Sequence, residues 1–122
     1  MLLQDFKVYQ LAMELGSEVY DIVIKWGYFD KDTVGKQLVR SADSVAANLS
    51  EGLGRYHYKE RKNFSYYSRG SLFETLTWLT KANQRKLIDQ ESFEKFEDHI
   101  NTISIKLNHY IKTLQPKKET QK

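Results

Sequence analysis

The 122 residues fit one domain and carry nineteen Lys or Arg against sixteen Asp or Glu, a net charge of +3 that permits a polyanionic partner without demanding one. There is no cysteine, which excludes a disulfide frame and a thiolate metal site and fits a reducing compartment. Neither a basic-then-apolar leader nor an apolar run near the roughly 20 residues that span a bilayer is visible, so a cytoplasmic protein without membrane contact is expected.

The first predicted helix covers residues 4–26. Val8, Ala12, Leu15, Val19, Ile22 and Trp26 recur at steps of four and three, the period of one helix face. A second stripe, Phe6, Tyr9, Met13, Tyr20 and Val23, runs beside it. The apolar surface is wider than one seam needs, so this helix is either deeply buried or faces another subunit as well. "WGYFDKD" breaks it, with Gly27 as a stop.

The second predicted helix starts at Asp32 as N-cap and runs to about Gly54, with Leu38, Ala42, Val45 and Leu49 as its apolar line. It is rich in Ser and Ala, which let a neighbouring backbone come close. The third covers residues 58–86, with Phe64, Tyr67, Ser71, Glu74 and Trp78 on one face. The fourth follows Asp89 as N-cap and ends before Pro116, the single proline. Its seam is Phe93, Phe96, Ile100, Ile103, Leu107, Tyr110 and Leu114, at heptad spacing. These patterns predict an all-α, antiparallel up-and-down four-helix bundle over residues 1–115 and a disordered C-terminal tail over residues 116–122.

On the second helix Ser41, Ser44, Asn48, Glu51 and Arg55 form a polar stripe beside the apolar one. On the third, Ser71 and Glu74 interrupt an aromatic stripe. Three chemistries compete for these groups. Glu51 and Glu74 as an acid–base pair lack an accompanying nucleophile, phosphate loop or histidine. A carboxylate-bridged metal pair would need Glu-x-x-His, whereas Gly54 and Thr77 stand at those places. A buried hydrogen-bond network of Ser44, Asn48, Glu51, Ser71 and Glu74 needs nothing further and is the expectation, with no catalytic residue, metal or cofactor.

Charge is segregated. From Lys36 to Lys86 ten cations (Lys36, Arg40, Arg55, Lys59, Arg61, Lys62, Arg69, Lys81, Arg85 and Lys86) face four carboxylates. From Leu87 to Ser104 five carboxylates face Lys95 alone. "RYHYKERKNFSYYSR" interleaves cations with rings, the combination that neutralises phosphates and stacks on unpaired bases. The ten cations are therefore the candidate nucleic-acid contacts, and a solvated helix start is the plainer use of the same residues.

"QLVRSADSVAANLSEGLGR" followed by "RKNFSYYSRGSLFETLTWL" resembles the four-helix-bundle family first noted as the product of intervening sequences in bacterial 23S ribosomal RNA genes. Gln37, Leu38, Arg40, Ser44, Asn48, Glu51, Gly52, Phe64, Ser71 and Glu74 stand at the positions of its pattern, and "FKVYQLAMEL" is similar to its first helix. The resemblance implies a bundle that assembles into a homopentameric ring. Through a sister group, the accessory variability determinants of diversity-generating retroelements, it also implies RNA or DNA binding and a reverse transcriptase partner. The reading that follows is a non-enzymatic, ring-forming bundle that binds RNA or DNA through a basic surface. The alternative is a protein-interaction scaffold without nucleic acid.

Overall fold

The computed structural model describes residues 1–116 and is helical throughout, with no strand among the described residues. A short 3-10 turn, Leu3–Asp5, leads into helix α1, Lys7–Val23. Three segments then follow without a break and together form helix α2: Tyr28–Asp30, the π-helical Lys31–Gly35, and Lys36–Leu53. Helix α3 is Tyr58–Gln84 and helix α4 is Gln90–Thr113. Each helix packs on its chain neighbours, and α4 closes the bundle against α1. This is the expected up-and-down four-helix bundle. Of the tail expected from Pro116 onward, residues 117–122 lie outside the described residues.

Two helix starts contrast. Asp89 caps α4 as expected, its Oδ1 accepting from the Ser92 backbone N–H at 2.8 Å. Asp32 does not cap α2. The extended residue that opens the helix is Gly27, five residues earlier, and Asp32 lies inside the π turn, paired with Lys36 at 3.1 Å. Thr33 accommodates this early start by bonding back to the Phe29 carbonyl at 2.8 Å.

The core takes most of the rows predicted for α1 and α4, with Phe6 and Val23 of the second α1 stripe joining it, while Ile22, Trp26, Phe93 and Tyr110 are half-buried. Val8, Ala12, Leu15, Val19 and Val23 face Phe96, Ile100, Ile103 and Leu107. On α2 the buried line is Leu38, Ala42, Val45 and Leu49, again as the period implied. On α3 the face differs from the sequence reading. Phe64, Ser71 and Trp78 are half-buried and Tyr67 and Glu74 are exposed, while Ser65, Ser68, Leu72, Thr75, Leu79 and Ala82 are buried.

The reason is the distance between α2 and α3, the most extensively packed pair in the bundle. A Cβ on Gly52 would come within 2.8 Å of Phe64 Cβ. At that separation aromatic rings cannot stand between the helices, and small side chains fill the seam. Their hydroxyls are satisfied there. Ser68 Oγ donates to the Val45 carbonyl of α2 at 2.8 Å. Thr75 Oγ1 lies 2.8 Å from the Ser71 carbonyl and 3.1 Å from Ser41 Oγ.

Helix α3 ends in a Schellman turn. The Leu87 N–H bonds to the Ala82 carbonyl at 2.8 Å and the Lys86 N–H to the Asn83 carbonyl at 3.0 Å. Lys86 therefore sits at φ 63°, the left-handed region where glycine is favoured.

Two substitutions test this packing. Gly52→Ala is expected to lower stability by about 1–3 kcal/mol, because Phe64 must shift. Lys86→Gly is expected to raise it by about 0.5–1 kcal/mol. Urea denaturation followed by circular dichroism measures both.

Candidate nucleic-acid interface

The polar stripe of α2 does not form the expected buried network. Ser44 Oγ donates to the Arg40 carbonyl and Asn48 Nδ2 to the Ser44 carbonyl, each at 2.9 Å and each within α2. Glu51 pairs with Arg55 at 2.7 Å, also within reach of one helix turn. Glu74 accepts from the Trp78 indole N–H at 3.1 Å, and Ser71 supplies only its carbonyl to Thr75. Both carboxylates are exposed. Ser44, Asn48 and Glu51 each stand one position before a buried residue, Val45, Leu49 and Gly52, and one residue turns a helix by about 100°. That offset points the stripe to the flank of α2. An ionised Glu costs several kcal/mol to bury, so the flank is its stable place. The side-chain hydroxyls that cross between α2 and α3 are those of Ser41, Ser68 and Thr75. Among the described residues no set of three or more His, Asp or Glu is placed to hold a metal ion.

The ten candidate cations sort into three kinds. Arg61 Nε donates to the Arg55 carbonyl at 2.6 Å and fastens the α2–α3 turn. Arg69 donates to Asn108 Oδ1 at 2.8 Å, joining α3 to α4, and lies over the Tyr66 ring. These two are tied to the fold. Lys36 and Arg55 make exposed ion pairs with Asp32 and Glu51, which leave their charge accessible. Arg55 also lies 4.9 Å over the Phe64 ring. Arg40, Lys59, Lys62, Lys81, Arg85 and Lys86 make no ion pair among the described residues.

The fold does not gather them into one surface. Arg55, Lys59 and Lys62 stand at the start of α3, and Lys81, Arg85 and Lys86 at its other end, about 40 Å away by helical rise. The α2–α3 turn is instead joined by cations that come from elsewhere in the chain. Phe6 packs at a tilt against Tyr110 with centroids 4.7 Å apart, and Tyr110 feels the Arg61 charge. The N-terminal stretch, the α2–α3 turn and the end of α4 thus share one end of the bundle. Lys7 and Lys106 line a hollow of about 350 Å³ there, with His109. Lys112 is in the last turn of α4. Around this end stand Lys7, Arg55, Lys59, Arg61, Lys62, Lys106 and Lys112, with Asp5, Glu51 and Glu60 as counter-charges. At its tip Tyr56 is 79% exposed and packs edge-on against the exposed His57, centroids 5.0 Å apart.

A family model described as 23S rRNA-intervening sequence protein matches residues 4–109. The chain belongs to this family. A crystal structure of a protein of unknown function from the S23 ribosomal protein family of Bacteroides thetaiotaomicron superposes with a TM-score of 0.78 at 21% identity, covering 86% of this chain and 98% of that one. No curated protein matches. The 23S rRNA-intervening sequence family and the crystal structure agree on the helical bundle, and neither indicates an enzymatic family. No helix among the described residues is long and apolar enough to cross a membrane.

In this family member the sequence run "RYHYKERKNFSYYSR" marks half of the basic end. Lys7, Lys106 and Lys112 were missed because they are far away in sequence. The signal for them is topological: with four alternating helices, both termini fall beside the α2–α3 turn.

Three groups titrate away from their ordinary values. Burial raises the Tyr110 hydroxyl, opposed by the Arg61 charge. The Ser92 N–H that caps on Asp89 lowers that carboxyl. Partial burial raises Asp43, which lies in a groove between α1 and α2. The two aspartates act with opposite sign. A lowered pKa stabilises above the unfolded value and is lost on acidification. A raised one costs stability at neutral pH, and that cost disappears as pH falls through the folded pKa. Asp43→Asn is therefore expected to raise Tm at pH 7 and Asp89→Ala to lower it. Both differences should shrink as pH falls through the carboxylate range, followed by thermal melts at several pH values.

Proposed function

We propose that this protein is a non-enzymatic, cytoplasmic bundle that assembles with copies of itself and binds RNA or DNA through the end of the bundle at the α2–α3 turn. The observation that carries the reading is the pairing, at that end, of an exposed ring couple with cations from α1, α3, α4 and the α2–α3 turn. Tyr56 and His57 offer faces for unpaired bases. Lys7, Lys59, Lys62, Lys106 and Lys112, at the same end of the bundle, would neutralise the phosphates of a strand stacked there. Arg61, fixed to the turn, holds this geometry in place.

No base-reading constellation accompanies the cations, so the contact is to backbone and base faces and is weakly sequence-selective. Ring assembly rests on the family resemblance and on exposed apolar side chains away from this end, such as Met13, Tyr20, Phe73 and Ile105. Those same side chains favour the second reading, an interaction scaffold that contacts no nucleic acid.

Fluorescence anisotropy of labelled single-stranded RNA and DNA, titrated at several salt concentrations, separates the two. Binding is expected to weaken with a log–log slope of about −0.7 per neutralised phosphate. Tyr56→Ala should cost about 1–3 kcal/mol of affinity, and Lys59→Glu with Lys62→Glu should abolish binding at physiological salt while leaving the melt unchanged. Affinity that ignores salt, or native affinity in the double variant, would leave the scaffold reading in its place.

A further inference from the structure

The hollow of about 350 Å³ at the basic end differs from the cationic surface around it. Lys59 and Lys62 lie along the surface of one helix. The hollow instead lies between two elements. One wall is the start of α1 with Phe6 and Lys7, and the other is α4 with Lys106, His109 and Tyr110. Lys106 and His109 are three positions apart, so they share the side of α4 that borders the α1 start. Cations from two helices thus stand around a single concavity.

Its charge is left open. Neither Lys7 nor Lys106 makes an ion pair among the described residues, although the Asp5 carboxylate lines the same hollow. His109 is exposed and brings a ring N–H that donates even from the neutral imidazole. The base of the hollow is aromatic. Phe6 is buried and Tyr110 half-buried, and their rings pack with centroids 4.7 Å apart.

These features distinguish two kinds of phosphate. A phosphodiester inside a strand carries a single negative charge and is tied to sugar on both sides. A phosphate monoester at a strand end carries about −1.5 to −2 at pH 7 and offers three free oxygens. Two lysines and an imidazole converging from two walls suit the monoester, because each oxygen can take a charge-assisted bond and the attraction grows with the charge. The nucleotide that bears the phosphate has an aromatic surface beside it in the Phe6–Tyr110 pair.

We propose that this hollow holds the phosphorylated end of a single strand, with Lys7, Lys106 and His109 on the terminal phosphate and the last base against the Phe6–Tyr110 pair. The rest of the strand runs across the end of the bundle toward Tyr56 and His57. The protein then tells a strand end from a continuous strand, a selectivity that requires no reading of base edges. The inference rests on the nucleic-acid half of the proposed function.

The test is fluorescence anisotropy on the full chain at fixed salt, with internally labelled single strands of one length and sequence. The four forms are a covalently closed circle and linear strands with a 5′-phosphate, a 3′-phosphate or hydroxyls at both ends. At least one phosphorylated linear strand is expected to bind on the order of tenfold tighter than the circle, the worth of one or two charge-assisted bonds. Lys7→Gln with Lys106→Gln should bring that ratio to about one, whatever the variant's overall affinity, with a thermal melt as the control for folding. Equal affinity for the circle and every linear strand would overturn the strand-end assignment and leave the proposed function standing. A preference that survives in the double variant would overturn the assignment to this hollow. Absence of binding to all four forms at low salt would overturn the proposed function as well.

Discussion

The close approach of α2 to α3 is the constraint on which the other features of the fold depend. Gly52 removes the one Cβ that would strike Phe64, and the Ser68 and Thr75 hydroxyls stitch the two backbones together from within. A hydroxyl that bonds a helix carbonyl occupies little more room than alanine and leaves no orphaned polar atom. The seam can therefore be both tight and polar. With it closed, Arg61 reaches the Arg55 carbonyl and gives the turn its shape, and the rings of α3 are displaced outward. Phe64 goes to the edge, under Arg55. Tyr66, Tyr67 and Phe73 go to the outer surface.

That displacement explains which parts of the sequence were legible. Helix α4 was readable because its heptad row and its Asp89 cap agree with each other and with the structure. Helix α1 was readable because its wide apolar stripe does divide into a buried row and an exposed one, the latter carrying Met13 and Tyr20. Helix α3 was misread. The most hydrophobic stripe in a helix is ordinarily its buried face, and here the spacing between backbones overrides that preference. No feature of α3 alone shows this; it depends on the small residues of α2. The start of α2 was misplaced for a related reason, since a π turn shifts the register that a regular period assumes.

The candidate site was half legible. The cations at the α2–α3 turn are contiguous in sequence and stand out, whereas Lys7, Lys106 and Lys112 join them only through topology. The stripe of Ser44, Asn48 and Glu51, three of the family-pattern positions, is assigned by the sequence to the interior. A single-residue offset from Val45, Leu49 and Gly52 sends it to the flank, where its bonds stay within its own helix. Periodicity distinguishes these two faces poorly when small residues occupy both.

A polyanion-binding end distinct from the α1–α2 corner is tested most directly by hydrogen–deuterium exchange with and without a single-stranded RNA. Added RNA is expected to slow exchange in the α2–α3 turn, the first turns of α1 and α3 and the last turns of α4, and to leave the α1–α2 corner around Lys31 and Lys36 unchanged. Protection centred on the corner, or none at the turn, would contradict it.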